Sequence, residues 1–232
     1  MRLLLGSGGH GPEDRKTAWI RELQDFLGLM ERILFIPYAL HDYDSYVAKM
    51  LELGFNAGYP FDPIHRHKNL SVALRKAPAL FVGGGNTFRL LAALESANII
   101  PLIQDLVLEK GLPYIGQSAG SNVACPTIKT TNDMPIVEPR KFAAFRFVPF
   151  QINPHYQDKN PDPLHRGESR EDRIREFHEM NAATVVGMRE GSILRVEGSE
   201  VSIRGTAGVR IFKKGEAPVE YAPGERLDFL LS

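Results

Sequence analysis

Gly111-Leu112-Pro113-Tyr114-Ile115-Gly116-Gln117-Ser118-Ala119-Gly120-Ser121-Asn122-Val123-Ala124-Cys125 changes character twice in a short space. A short apolar run passes through Gly-x-Ser-x-Gly into small, helix-compatible residues, which reads as strand, abrupt turn, helix. Small flanking residues let a backbone bend sharply enough for a serine hydroxyl to stand above a sheet, the geometry of a nucleophile elbow. The first residue of the following helix can then aim its N–H at a reacting oxygen. The motif by itself fits a serine that merely caps the helix equally well.

The segments before this turn set its context. Residues 2–5 form a first apolar run that breaks at Gly6-Ser7-Gly8-Gly9-His10-Gly11. Gly6-x-Gly8-x-x-Gly11 after a strand is formally a dinucleotide fingerprint. The second strand, residues 32–37, should then end near an acid for the ribose, and none follows before Asp42; no nicotinamide or other cofactor is expected. Residues 79–82 predict an internal strand that ends in Gly83-Gly84-Gly85-Asn86-Thr87 and a helical stripe. Consecutive glycines leave backbone N–H groups unobstructed. The loop lacks the Gly-Lys-Ser/Thr ending of a phosphate-binding loop, so an oxyanion loop built from Gly84 or Gly85, completed by Ala119, suits it better.

Strands alternating with helices predict an α/β fold, a mostly parallel sheet with helices on both faces. Ligands of such sheets bind at the carboxyl ends of strands, where the loop at 6–11, the loop at 83–86 and Ser118 all fall. Beyond the elbow, Asp133 sits in a polar loop, and the alternating run 147–153 predicts a strand that delivers His155 at its end. Residues 158–168 form a charged loop long enough to cover a cleft, and a helix over 170–181 should bury Ile174, Phe177 and Met180. A strand at 184–188 leads to Glu190, and the short glycine-separated pieces after it read as β-hairpins at the sheet edge.

With 232 residues and no linker-like stretch, residues 1–232 are expected to form one domain. Basic and acidic residues number 28 each, so no net field favours nucleic acid or an anionic membrane surface, and the partner is expected to be small. Cys125 is the single cysteine, which excludes an internal disulfide and fits a reducing compartment. The apolar run in residues 1–6 is too short for a signal sequence and no run of about 18 apolar residues exists, so a cytoplasmic, soluble protein is expected. His65-x-His67 lacks neighbouring ligands for zinc, and no metal site is expected.

Gly116 to Asn122, Ala124-Cys125-Pro126-Thr127-Ile128, Thr130-Thr131-Asn132-Asp133-Met134-Pro135-Ile136-Val137, Gln151-Ile152-Asn153-Pro154-His155, Val82-Gly83-Gly84-Gly85-Asn86-Thr87-Phe88 and Gly167-Glu168-Ser169-Arg170-Glu171 together resemble the peptidase E family of α-aspartyl dipeptidases. The resemblance spans nearly the whole chain. It implies a fold similar to class I glutamine amidotransferase domains and a serine exopeptidase that removes an N-terminal aspartate from Asp-Xaa dipeptides. The sequence leaves the choice between monomer and homodimer open. By position, Ser118 is then the nucleophile and His155 the base, with Asp133 or Glu190 as the third member; Glu190, at a strand end, is the better placed, and the sequence leaves both open. A buried cation is needed for the aspartate side chain, and Arg170 is the candidate, with Asn86 as a further substrate contact. Gln117 departs from the family's often aromatic residue before the nucleophile. A cyanophycinase-like hydrolase of aspartate-containing polymers and a non-catalytic binding module are the alternatives.

Overall fold

The computed structural model describes residues 1–8, 11–158 and 167–231. Gly9 and His10 of the first glycine-rich loop, and residues 159–166 of the loop expected to cover a cleft, lie outside the described residues.

The strands of the main sheet are short runs with both faces buried. They are β1 (Arg2–Gly6), β2 (Ile33–Ile36), β3 (Phe61–Pro63), β4 (Leu80–Val82) and β5 (Tyr114–Gln117). These five pair in parallel in the order β3-β2-β4-β5-β1. Successive side chains of a strand point to opposite faces, and the core divides accordingly. Leu3, Leu5, Leu34, Ile36, Leu80, Val82 and Tyr114 enter one apolar cluster; Leu4, Ile33, Phe35, Phe81 and Ile115 enter another. Helices α1 (Glu13–Leu27) and α2 (Tyr43–Glu52) cover the second face through Trp19, Leu23, Phe26, Val47 and Met50. Helices α3 (Leu70–Arg75), α4 (Thr87–Ser96), α5 (Ile100–Leu108) and α6 (Ala119–Val123) cover the first through Leu74, Leu90, Leu94, Ile103 and Val123.

The later strands part from the expectation of a single sheet. The hairpin β8 (Ser192–Glu197) and β9 (Glu200–Gly205) extends the main sheet antiparallel to β1. In contrast, β6 (Gln151–Asn153), β7 (Val185–Met188), β10 (Val209–Phe212) and β11 (Val219–Tyr221) form a separate four-stranded sheet, with β6 parallel to β7 and the other pairs antiparallel. The reason is again two-faced burial. Ile152, Val186, Met188, Val209 and Ile211 join the core of the main sheet, while Val185 and Phe212 face Tyr156, Ile174 and Phe177. Ile174 and Phe177 belong to α7 (Arg170–Met180), which a reciprocal capping box between Ser169 and Asp172 starts. Ile174 and His178, four residues apart, turn inward, whereas Met180 at the last turn is 86% exposed rather than buried. Among the described residues no single helix is long and apolar enough to cross a membrane.

The turn from β5 into α6 has no spare room. A Cβ on Gly120 would lie 2.1 Å from the Val82 carbonyl oxygen, and one on Gly116 would lie 2.7 Å from the Gly120 carbonyl. Both glycines are therefore required by close backbone approach. Replacing Gly120 with alanine is expected to destabilise the protein by at least about 2 kcal/mol, because backbone must move. Gly11→Ala, with nothing within 4 Å of its Cβ, should be near neutral. Urea unfolding of both variants beside wild type measures the difference.

Candidate active site

Ser118 occupies the apex of that turn at φ 51° and ψ −106°, a backbone conformation that non-glycine residues rarely adopt. The turn is pinned from below: Ser118 N–H donates to Gly6 O at 2.9 Å, and Ser121 Oγ donates to Gly6 O at 2.8 Å. The hydroxyl thus stands at the carboxyl end of β5. Its oxygen lies 2.7 Å from His155 Nε2, and the other ring nitrogen, Nδ1, contacts Glu190 Oε1. Ser118, His155 and Glu190 form one continuous chain.

His155 and Glu190 meet because β6 and β7 run in parallel with Asn153 opposite Gly187. Each strand releases its chain at the same end of the small sheet, placing His155 two residues beyond β6 and Glu190 two beyond β7. His155 is itself at positive φ, 53°. Its backbone is anchored through buried Ser7, whose Oγ accepts from His155 N–H at 2.8 Å and donates to Met188 O at 2.9 Å. Gly8 packs on the imidazole so closely that a Cβ there would lie 2.4 Å from Cε1. The neighbouring Arg189 is held by Asp158 and Glu220. Hydrogen bonds to those two carboxylates, Glu220's first, raise its pKa above the ordinary value.

The triple-glycine loop meets the elbow from β4. A Cβ on Gly84 would lie 3.0 Å from Ser118 Cβ, so only glycine brings the loop this near. Tyr46 donates to Gly84 O at 2.7 Å, and Asn86 N–H donates to Ala39 O at 3.0 Å, fixing the loop at both ends. Burial drives the Tyr46 phenol's pKa well above its ordinary value, so it remains a donor. Gly85 adopts φ 130°. Among the described residues, the N–H groups of Gly84, Gly85 and Ala119 donate no hydrogen bond, leaving free donors on either side of Ser118.

The remaining candidates separate. Asp133 does not touch His155; it accepts from Thr87 N–H at 2.8 Å and Thr87 Oγ1 at 2.6 Å, at the start of α4. Asn86 is committed to capping: its oxygen accepts from Arg89 N–H at 3.0 Å and its nitrogen donates to Met134 O at 2.8 Å. Both ends of its amide thus hold the start of α4 and the segment at Met134. Arg170, the first residue of α7, makes no hydrogen bond or ion pair among the described residues. Its pKa lies below the ordinary arginine value, chiefly through burial, with Arg173 adding to the shift and Asp133 opposing it. Gln117 is buried with its amide oxygen against Gly6, facing a small cavity lined by Arg15, Trp19 and Gly191. Cys125 is fully buried, and burial raises its thiol pKa. His65 pairs with Asp44 at 3.1 Å and His67 with Asp62 at 2.6 Å.

Ser7, Gly8, Tyr46 and Asn132 support the site without having been singled out. Ser7 and Gly8 lie in the stretch that reads as a turn or a formal dinucleotide fingerprint, and Tyr46 reads as core. Asn132, which donates to Pro154 O at 2.7 Å and accepts from Asn153 Nδ2 at 2.9 Å, carries no signal of its own in sequence.

The chain matches the model of Peptidase family S51 over residues 2–204. It is 48% identical over 229 residues to "Peptidase E" of Streptomyces coelicolor, covering 99% of this chain and 93% of that protein. It is 41% identical over 232 residues to "Probable alpha-aspartyl dipeptidase" of Drosophila melanogaster, covering 99% and 96%. The crystal structure of a peptidase from an acI-B1 Actinobacterium superposes with a TM-score of 0.67 over 97% of this chain and 96% of that one, at 18% identity, which is a likeness of fold. With full-length relatives of this similarity, the chain belongs to peptidase family S51 and is a serine-type hydrolase.

Proposed function

We propose that the protein hydrolyses dipeptides with an N-terminal aspartate through a Ser118–His155–Glu190 triad and an acyl-enzyme. The observation that carries this reading is the unbroken contact from Ser118 Oγ through His155 to Glu190 Oε1, beside three free N–H donors. The printed names of the similar proteins in Streptomyces and Drosophila supply the substrate class. The connection of parallel strands and the elbow at the end of β5 also agree with the glutamine amidotransferase-like fold that the sequence resemblance implies.

In this mechanism neutral His155 accepts the Ser118 proton at Nε2 as Oγ attacks the peptide carbonyl. Glu190 holds Nδ1–H, fixes the tautomer and stabilises the imidazolium. The N–H groups of Ala119 and of Gly84 or Gly85 receive the oxyanion, and a donor of this kind is typically worth about 3 kcal/mol of barrier. His155 then returns its proton to the leaving amine, and a water attacks the aspartyl ester by the same route in reverse. Neutral imidazole is needed at the first step, so activity falls in acid.

Arg170 is the receptor for the aspartate side chain. It is partly withdrawn from water and carries no ion pair among the described residues, so an incoming carboxylate gains a charge-assisted bond without breaking an existing one.

Purified protein is expected to release p-nitroaniline from Asp-p-nitroanilide but not from the Glu, Ala or N-acetyl-Asp compounds, and Ser118→Ala should abolish that release. Wild type inactive on all four, or an undiminished Ser118→Ala variant, contradicts the reading. Glu190→Gln, which loses the charge and the fixed tautomer, should lower kcat on the order of 10³–10⁴-fold while Asp133→Asn retains the triad. A Glu190→Gln enzyme within a few-fold of wild type, with unchanged circular dichroism, would remove Glu190 from this role.

A further inference from the structure

Asp133 stands beside the triad without joining it, and its two carboxylate oxygens are used unequally. Oδ2 accepts from Thr87 N–H, Thr87 Oγ1 and Thr131 Oγ1, at 2.8, 2.6 and 3.0 Å. Oδ1 accepts no hydrogen bond among the described residues, and Asp133 is only half-buried. The three donors fix the carboxylate in one orientation, so the bare oxygen points in a set direction rather than turning freely.

Its place is equally set. Thr87 lies three residues beyond Gly84, the glycine packed on Ser118. Asn132, the residue before Asp133, is bonded to the carbonyl of Pro154, the residue before His155. Asp133 is thereby held between the loop that offers the oxyanion donors and the strand end that carries the base.

The nearby cation is Arg170. It opens α7, and Glu168 and Arg173 on either side of it line one cavity with Phe88 and Thr131, the neighbours of Thr87 and Asp133. The Asp133 charge acts on the Arg170 guanidinium, and among the described residues the two form no ion pair. The loop hydrogen bonds hold one, and the capping box at the start of α7 holds the backbone of the other. A held anion and a neighbouring cation with no ion pair between them suit a molecule carrying the complementary pair. An N-terminal aspartate is such a molecule: its ammonium sits on Cα and its carboxylate on the adjoining Cβ.

We propose that Asp133 is the receptor for the substrate's free α-ammonium, through Oδ1, while Arg170 takes the β-carboxylate. This rests on the aspartyl-dipeptidase reading and deepens it. The site then measures both charges of the terminal residue at once. An internal aspartate lacks the ammonium, and a terminal alanine lacks the carboxylate. Asp133 acts on specificity, not on proton transfer, which accounts for a carboxylate at the site that does not contact His155.

Binding to a Ser118→Ala protein by calorimetry tests this without turnover, using Asp-Leu, N-acetyl-Asp-Leu, succinyl-Leu (Asp-Leu without its amine) and Ala-Leu. Asp-Leu should bind at least about 10-fold more tightly than each of the others, as expected for charge-assisted contacts. Adding Asp133→Asn, which keeps an acceptor for Thr87 N–H, should bring Asp-Leu to within about 3-fold of succinyl-Leu while leaving it favoured over Ala-Leu. Adding Arg170→Met should do the converse. Should Asp133→Asn unfold, equal binding of Asp-Leu and succinyl-Leu to Ser118→Ala alone overturns the proposal. An unchanged preference for Asp-Leu over succinyl-Leu in the Asp133→Asn protein overturns it too, with the aspartyl reading intact. No binding of Asp-Leu by Ser118→Ala overturns both.

Discussion

The 2.7 Å contact between Ser118 Oγ and His155 Nε2 joins two different sheets. Ser118 rises from the end of a strand in the large sheet, while His155 and Glu190 leave adjacent strands of the small one. A hydrogen bond tolerates only a few tenths of an ångström before it weakens, so the two sheets need a fixed separation and register. Their shared apolar cluster supplies the separation. Ser7 supplies the register: it leaves β1 of the large sheet and bonds both His155 N–H and Met188 O of the small one. Losing this buried hydroxyl would leave the His155 N–H unsatisfied, at roughly 1–3 kcal/mol, while Met188 O keeps the Tyr156 N–H.

Strain and close approach concentrate at the same place. Ser118 and His155 both occupy positive φ, a conformation costing on the order of 1–3 kcal/mol for each such residue. The surroundings that impose it are glycines where no Cβ fits: Gly8 on the imidazole, Gly84 on Ser118, Gly116 and Gly120 under the elbow. The same absence of side chains leaves the N–H groups of Gly84 and Gly85 exposed to a reacting oxygen. One feature of composition thus shapes the turn, seats His155 and leaves backbone donors free beside Ser118.

What the sequence discloses follows the range of the interaction. The elbow is legible because strand, glycine, serine, glycine and helix are consecutive, and the triple-glycine loop because its neighbours on either side are a strand and a helix. The small sheet is not legible: the apolar runs at residues 151–153 and 185–188 announce buried strands but carry no mark of which strands they join. The choice between Asp133 and Glu190 is of the same kind, since both are acids in suitable chain order and only the parallel pairing of β6 with β7 brings Glu190 to the imidazole. Asn86 shows the opposite case. An asparagine directly before a helix is a cap by local sequence, and its hydrogen bonds are those of a cap.

We propose Ser118 Oγ as the atom that becomes acylated, with His155 and Glu190 behind it. Peptide mapping after treatment with an aspartyl phosphonate tests it most directly, because the adduct is covalent and its site is read by mass. One adduct per chain is expected, on Ser118, with activity lost in proportion to labelling. Complete inactivation with Ser118 unmodified, or full activity in a protein labelled at Ser118, would contradict it.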